Sequence, residues 1–114
     1  MVLDLFRAIL SADSSFTVVE ALSCAAAFEA AKTAAVDLLI VDLTLADGLG
    51  TNIAAQIQNH RPGLKVIITS GIPIETWPEQ ATLEVDSLAL DSWRWLPKPF
   101  SPPIAMKMVR ELLR

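Results

Sequence analysis

The sequence predicts an α/β domain: a parallel sheet with helices packed on both faces. Three observations predict it. Strand-like and helix-like patterns alternate along the chain. Two apolar runs, Leu38 to Val41 and Val66 to Ile68, are continuously hydrophobic, the first partly and the second wholly β-branched, as suits strands buried on both faces. Each run stops abruptly at polar residues, Asp42 in one case and Thr69-Ser70-Gly71 in the other. A length of 114 residues suits one domain with one core, spanning residues 1–114.

The elements follow in order. Val2, Leu3, Phe6, Ile9 and Leu10 recur at helical spacing, so the chain is expected to begin inside a helix. The polar stretch Ser11 to Ser15 ends it, and Phe16 to Glu20 has strand composition. Ser23 is placed to cap a helix from about Cys24 to Lys32, with Ala25, Phe28 and Ala31 facing inward. The strand ending at Asp42 comes next, then a loop, Asp47-Gly48-Leu49-Gly50. Ile53, Ala54 and Ile57 mark a further helix, which His60-Arg61-Pro62-Gly63 stops. Lys65 to Thr69 forms the second buried strand. A helix is expected within Glu79 to Leu90, its start blurred by Pro73, Thr76 and Pro78. Trp93 to Leu96 reads as a short strand and Pro97-Lys98-Pro99-Phe100 as a loop. Pro102 and Pro103 suit the first turn of a last helix, striped by Ile104, Met108, Val109 and Leu112.

Composition narrows the function. At 53% hydrophobic, the chain is not disordered in character. A net charge of −4 without a basic cluster argues against nucleic-acid binding. No run approaches the ~18 apolar residues of a membrane span, and no basic-then-apolar leader opens the chain. A cytoplasmic location is expected. The single cysteine, Cys24, reads as a small hydrophobe in an alanine-rich helix.

The candidate site gathers at strand ends. A carboxylate is expensive to bury without partners, and in open α/β sheets ligands sit beyond the carboxyl ends of the strands. Asp42 is therefore either a functional acid or a turn-capping aspartate. Ser70 and Lys98 each follow a separate strand and would meet Asp42 at the same edge. The trio has chemical logic: a carboxylate can attack phosphorus, a lysine can neutralise phosphoryl oxygens, and a hydroxyl can donate to another. Each residue taken singly has an ordinary structural explanation. His60 is placed for a favourable contact at a helix C-terminus. Of the tryptophans, burial is expected for one of Trp93 and Trp95 and at least partial exposure for Trp77. Asp4 lies in the first turn of the opening helix and reads as a favourable charge at a helix N-terminus, with a substitute acid for the Asp42 site as the alternative.

These motifs resemble the receiver domain of response regulators in two-component signalling. The resemblance rests on the aspartate-ended strand with Asp47-Gly48-Leu49-Gly50, on Thr69-Ser70-Gly71 and on Lys98-Pro99-Phe100, and it spans Met1 to Arg114. It implies a flavodoxin-like three-layer sandwich around a central parallel sheet. It implies that Asp42 is the phosphoacceptor, that Ser70 senses the phosphoryl group, and that Lys98 contacts it through a loop with a cis Lys98–Pro99 peptide. It gives Trp95 the position of the switch aromatic and Thr44 that of a backbone carbonyl on Mg²⁺. The implied function is receipt of a phosphoryl group from a histidine kinase or phosphotransfer protein, signalled onward by protein contacts. Beyond that self-modification, no enzyme activity is implied.

One departure from the family is expected to matter. Receivers open with a strand ending in two acidic residues that help bind Mg²⁺, and Met1 falls where the first helix starts. The first strand and its acidic pair are thus expected to be missing, Mg²⁺ binding to be weak or absent, and labelling poor. The gap in the sheet would expose strand edges and favour a homodimer. The alternative function is a pseudo-receiver, a protein-interaction module that is never phosphorylated.

Overall fold

The computed structural model describes residues 21, 23–33 and 35–113. The helix expected near residues 2–10, the strand at 16–20 and Asp4 lie outside them. Three parallel strands make the main sheet: β1 (Leu38–Asp42), β4 (Lys65–Ser70) and β5 (Trp93–Pro97), in the order β1-β4-β5. A small antiparallel hairpin, β2 (Thr44–Leu45) with β3 (Gly48–Leu49), leaves the end of β1. The helices are α1 (Cys24–Thr33), α2 (Gly50–His60), α3 (Glu79–Asp86) and α4 (Pro102–Leu113), with a 3₁₀ turn at Ile74–Thr76.

Successive side chains of a strand point to opposite faces, and the packing follows that parity. On one face Val41, Val66 and Ile68 join Ile53, Ala54 and Ile57 of α2 and Ala81 and Val85 of α3, with Phe28 of α1, Trp93 and Trp95 packed against them. On the other face Ile67 and Leu96 meet Ala105, Val109 and Leu112 of α4. Central β4 is therefore buried from both sides, which is why its apolar run is unbroken.

Several side chains lie where the periodicity did not put them. Ala25 is exposed, and Ala27 takes its place beside Phe28 and Ala31. Ile104, in the first turn of α4, is exposed, and Ala105 is buried instead. The helix expected within Glu79 to Leu90 ends at Asp86. There Gln58 accepts the Ala89 amide at 2.7 Å and donates to Leu64 and Ser92, so the chain turns down towards β5. Trp77 is buried, contrary to the expected exposure. The 3₁₀ turn folds it back, its indole N–H donates to the Ile72 carbonyl at 3.3 Å, and its ring packs edge-on against Trp95. His60 does lie in the last turn of α2 and meets Phe28 edge-on.

Two contacts tie the turn after β1 to the helices. The Asp47 carboxylate accepts the backbone N–H groups of Cys24 and Ala25 at 2.9 and 3.2 Å, while Ser23 caps Ala26. An anion at a helix N-terminus is favourable. Burial, helped by Asp47, pushes the Cys24 thiol up, which keeps it protonated. At the other end of the turn, Gly50 donates its N–H to Leu43. Its Cα sits so close that a Cβ would overlap the carbonyl oxygen of Asp42 and come within 3.0 Å of the Val41 side chain.

Two outcomes are expected. Alanine in place of glycine normally favours a helix by up to ~1 kcal/mol. At position 50 the obstructing atoms are backbone and cannot yield cheaply, so Gly50→Ala should destabilise by about 1–3 kcal/mol in denaturant unfolding. For Asp47, the two backbone N–H groups bond the ionised form and hold its carboxyl below the usual range. A depressed folded-state value means the stabilisation is present at neutral pH and lost as pH falls through that value. Asp47→Asn should therefore melt slightly below wild type at pH 7, and the two melting curves should converge in acid.

Candidate functional site at the carboxyl edge of the sheet

Register brings the candidate residues to one edge. Asp42 at the end of β1 pairs with Thr69, and Ser70 at the end of β4 pairs with Pro97 of β5. Lys98 follows directly; its backbone N–H donates to the Ser70 carbonyl at 2.9 Å, and its peptide bond to Pro99 is cis, as the resemblance implied.

Parity then decides which side chains meet. Ile40 and Asp42 share a face of β1, Ile67 and Thr69 a face of β4, and Leu96 and Lys98 follow the same phase on β5. Lys98 Nζ lies 2.9 Å from Asp42 Oδ1, and the Thr69 hydroxyl donates to that same oxygen. Asp42 and Lys98 are each about a third exposed, 36% and 32%. An ion pair this open contributes little to stability, yet it leaves the carboxylate accessible and already facing a cation.

Ser70 is one residue further on and so faces the other way. Its hydroxyl accepts the Ile72 N–H and donates to the Ile72 carbonyl, both at 3.0 Å. The structure thus brings Asp42 and Lys98 together as expected, but puts Thr69, not Ser70, in hydrogen bond with the acid. Thr69 stands in the motif Thr69-Ser70-Gly71, and the resemblance implies no role for it. The available signal was parity: of two adjacent hydroxyls at a strand end, only one can share a face with Asp42. Trp95 lies on the Ser70 face of the sheet, partly buried, and its buried indole nitrogen has no hydrogen-bond partner among the described residues. Thr44 is exposed at the start of β2, paired with Leu49.

Among the described residues no three His, Cys, Asp or Glu side chains gather to hold a metal. Asp42 and a Thr44 carbonyl would offer two oxygens, whereas Mg²⁺ demands near-octahedral coordination. The described residues alone do not compose a Mg²⁺ site. Among them, no helix is long and apolar enough to cross a membrane.

Comparison with known proteins agrees with the geometry. The fold matches a CheY-like receiver domain protein from Methanospirillum hungatei JF-1 with a TM-score of 0.82 at 21% identity, covering 98% of this chain and 84% of that one. It matches Vibrio cholerae chemotaxis protein CheY4 with a TM-score of 0.80 at 18% identity, covering 98% and 89%. A response regulator receiver protein from Sinorhizobium medicae WSM419 matches with a TM-score of 0.78 at 26% identity, covering 98% and 85%. These likenesses establish the flavodoxin-like fold with its central parallel sheet and flanking helices. No curated protein matches the chain. The family model for the response regulator receiver domain matches residues 1–110. The chain belongs to the response regulator receiver domain family.

Proposed function

We propose that this receiver accepts a phosphoryl group on Asp42 from a histidine kinase or phosphotransfer protein and passes the state on through protein contacts. The observation that supports it most directly is the 2.9 Å contact between Asp42 Oδ1 and Lys98 Nζ at an exposed strand edge. In the proposed step a carboxylate oxygen of Asp42 attacks phosphorus. The bond from phosphorus to the donor histidine nitrogen breaks, and that nitrogen keeps the electron pair. The product is an acyl phosphate. Lys98 loses a carboxylate charge and gains phosphoryl oxygens in its place, so it remains paired throughout. Thr69 steadies the attacking carboxylate through its hydroxyl. Ser70 faces the Trp95 side of the sheet with its hydroxyl engaged by Ile72, so the hydroxyl proposed to donate to a phosphoryl oxygen is that of Thr69. Mg²⁺, where bound, supplies charge neutralisation between carboxylate and phosphoryl oxygens. With one carboxylate at the edge among the described residues, its binding is expected to be weak.

Acetyl phosphate tests the reading, with the bound phosphoryl group read by mass. Asp42→Asn should abolish labelling. Lys98→Ala removes a charge-assisted bond worth about 1.5–3 kcal/mol, so labelling should slow by roughly ten- to a hundredfold. Thr69→Val removes a neutral donor and should slow it by only about two- to tenfold. Complete absence of labelling in the wild-type chain, with or without Mg²⁺, would leave the pseudo-receiver as the reading to hold.

A further inference from the structure

Glu84 is a buried carboxylate that the proposed chemistry does not use. It is 7% exposed, near the C-terminal end of α3. Its oxygens accept hydrogen bonds from Thr51 Oγ1 at 2.7 Å, Asn52 Nδ2 at 2.6 Å and Gln80 Nε2 at 3.1 Å. Among the described residues no cation pairs with it. An acid near the negative end of its own helix is unfavourable, whereas one beside the positive end of another is favourable. Thr51 and Asn52 belong to the first turn of α2. That turn has no acid of its own, and its N-cap residue, Leu49, offers no side-chain bond. Glu84 is therefore well placed only while α3 is docked on the start of α2.

That start is also where α2 meets the phosphoacceptor. Gly50 precedes Thr51, donates to the Leu43 carbonyl at 2.7 Å and lies against the carbonyl of Asp42. α3 has only eight residues and no side-chain N-cap bond, so it depends on docking for its stability. From these contacts we infer that Glu84 is a positioning residue. It holds the first turn of α2 against Asp42 and docks α3 on that same turn, so the two placements are coupled. The consequence for phosphoryl transfer rests on Asp42 being the acceptor; the coupling does not.

Hydrogen exchange on the full chain decides it. In Glu84→Ala, amides of residues 43–52 and 79–86 should both exchange at least about tenfold faster, those of 65–70 and 102–113 staying within about twofold of wild type. If the alanine variant does not fold, Glu84→Gln, which keeps the shape and removes the charge, is held to the same pattern. A uniform rise would make Glu84 merely stabilising and overturn the inference. So would a rise in only one of the two segments, or none. Acetyl-phosphate labelling separates this from the function beneath it. Labelling of Asp42 should slow at least about fivefold in the variant, well below its melting temperature. Equal labelling of variant and wild type would overturn the positioning of Asp42. An unlabelled wild type that shows the exchange pattern would defeat the phosphoacceptor reading and leave the role of Glu84 standing.

Discussion

Both cores of the described structure meet on β4. Val66, Ile67 and Ile68 have no exposed surface, because α2 and α3 cover one face of the strand and α4 the other. A strand covered twice cannot carry a polar side chain along its length without leaving it unsatisfied. Polar residues are therefore admitted only at its two ends, Lys65 at the start and Thr69 and Ser70 at the finish, and its neighbours β1 and β5 stop at the level of the finish. Asp42, Thr69 and Lys98 gather at this edge because the apolar layers run out there.

The edge sorts its side chains by strand parity. Adjacent residues of a strand face opposite ways, so Thr69 falls with Asp42 and Lys98 while Ser70 falls with Trp95. The result is two polar environments one residue apart. In one, a hydroxyl and an ammonium meet one carboxylate oxygen. In the other, a hydroxyl is occupied by the backbone of Ile72, whose carbonyl also accepts the Trp77 indole. The acid is partly exposed beside its cation, and the serine is engaged elsewhere.

Carboxylates also organise the helices around the turn after β1. Asp47 reaches the N-terminus of α1, and Glu84 reaches the first turn of α2 from α3. Among the described residues neither pairs with a cation; both accept from amide or hydroxyl donors at the positive end of a helix. The turn that leads away from Asp42 is thus held at both ends. The close packing of Gly50 on the Asp42 carbonyl carries that constraint to the acid itself.

What was legible from sequence was whatever depends on local pattern. The unbroken apolar runs identified β1 and β4, the spacing of Ile53, Ala54 and Ile57 identified α2, and the polar residues ending each strand pointed to Asp42 and Lys98. Local pattern failed where a contact between distant segments decides. Ala27 rather than Ala25, and Ala105 rather than Ile104, face the core because helix rotation is set by the neighbouring layer. Trp77 is buried because a 3₁₀ turn and two other tryptophans receive it. Thr69 rather than Ser70 reaches Asp42 because the register of β1 against β4 sets the choice, and no single strand encodes its register. Local pattern does not set Glu84 apart from Glu79 and Asp86 on the same short helix. Its place was decided by the tertiary structure: beside Gln80 of its own helix, two of its donors, Thr51 and Asn52, lie on α2, more than thirty residues away in sequence.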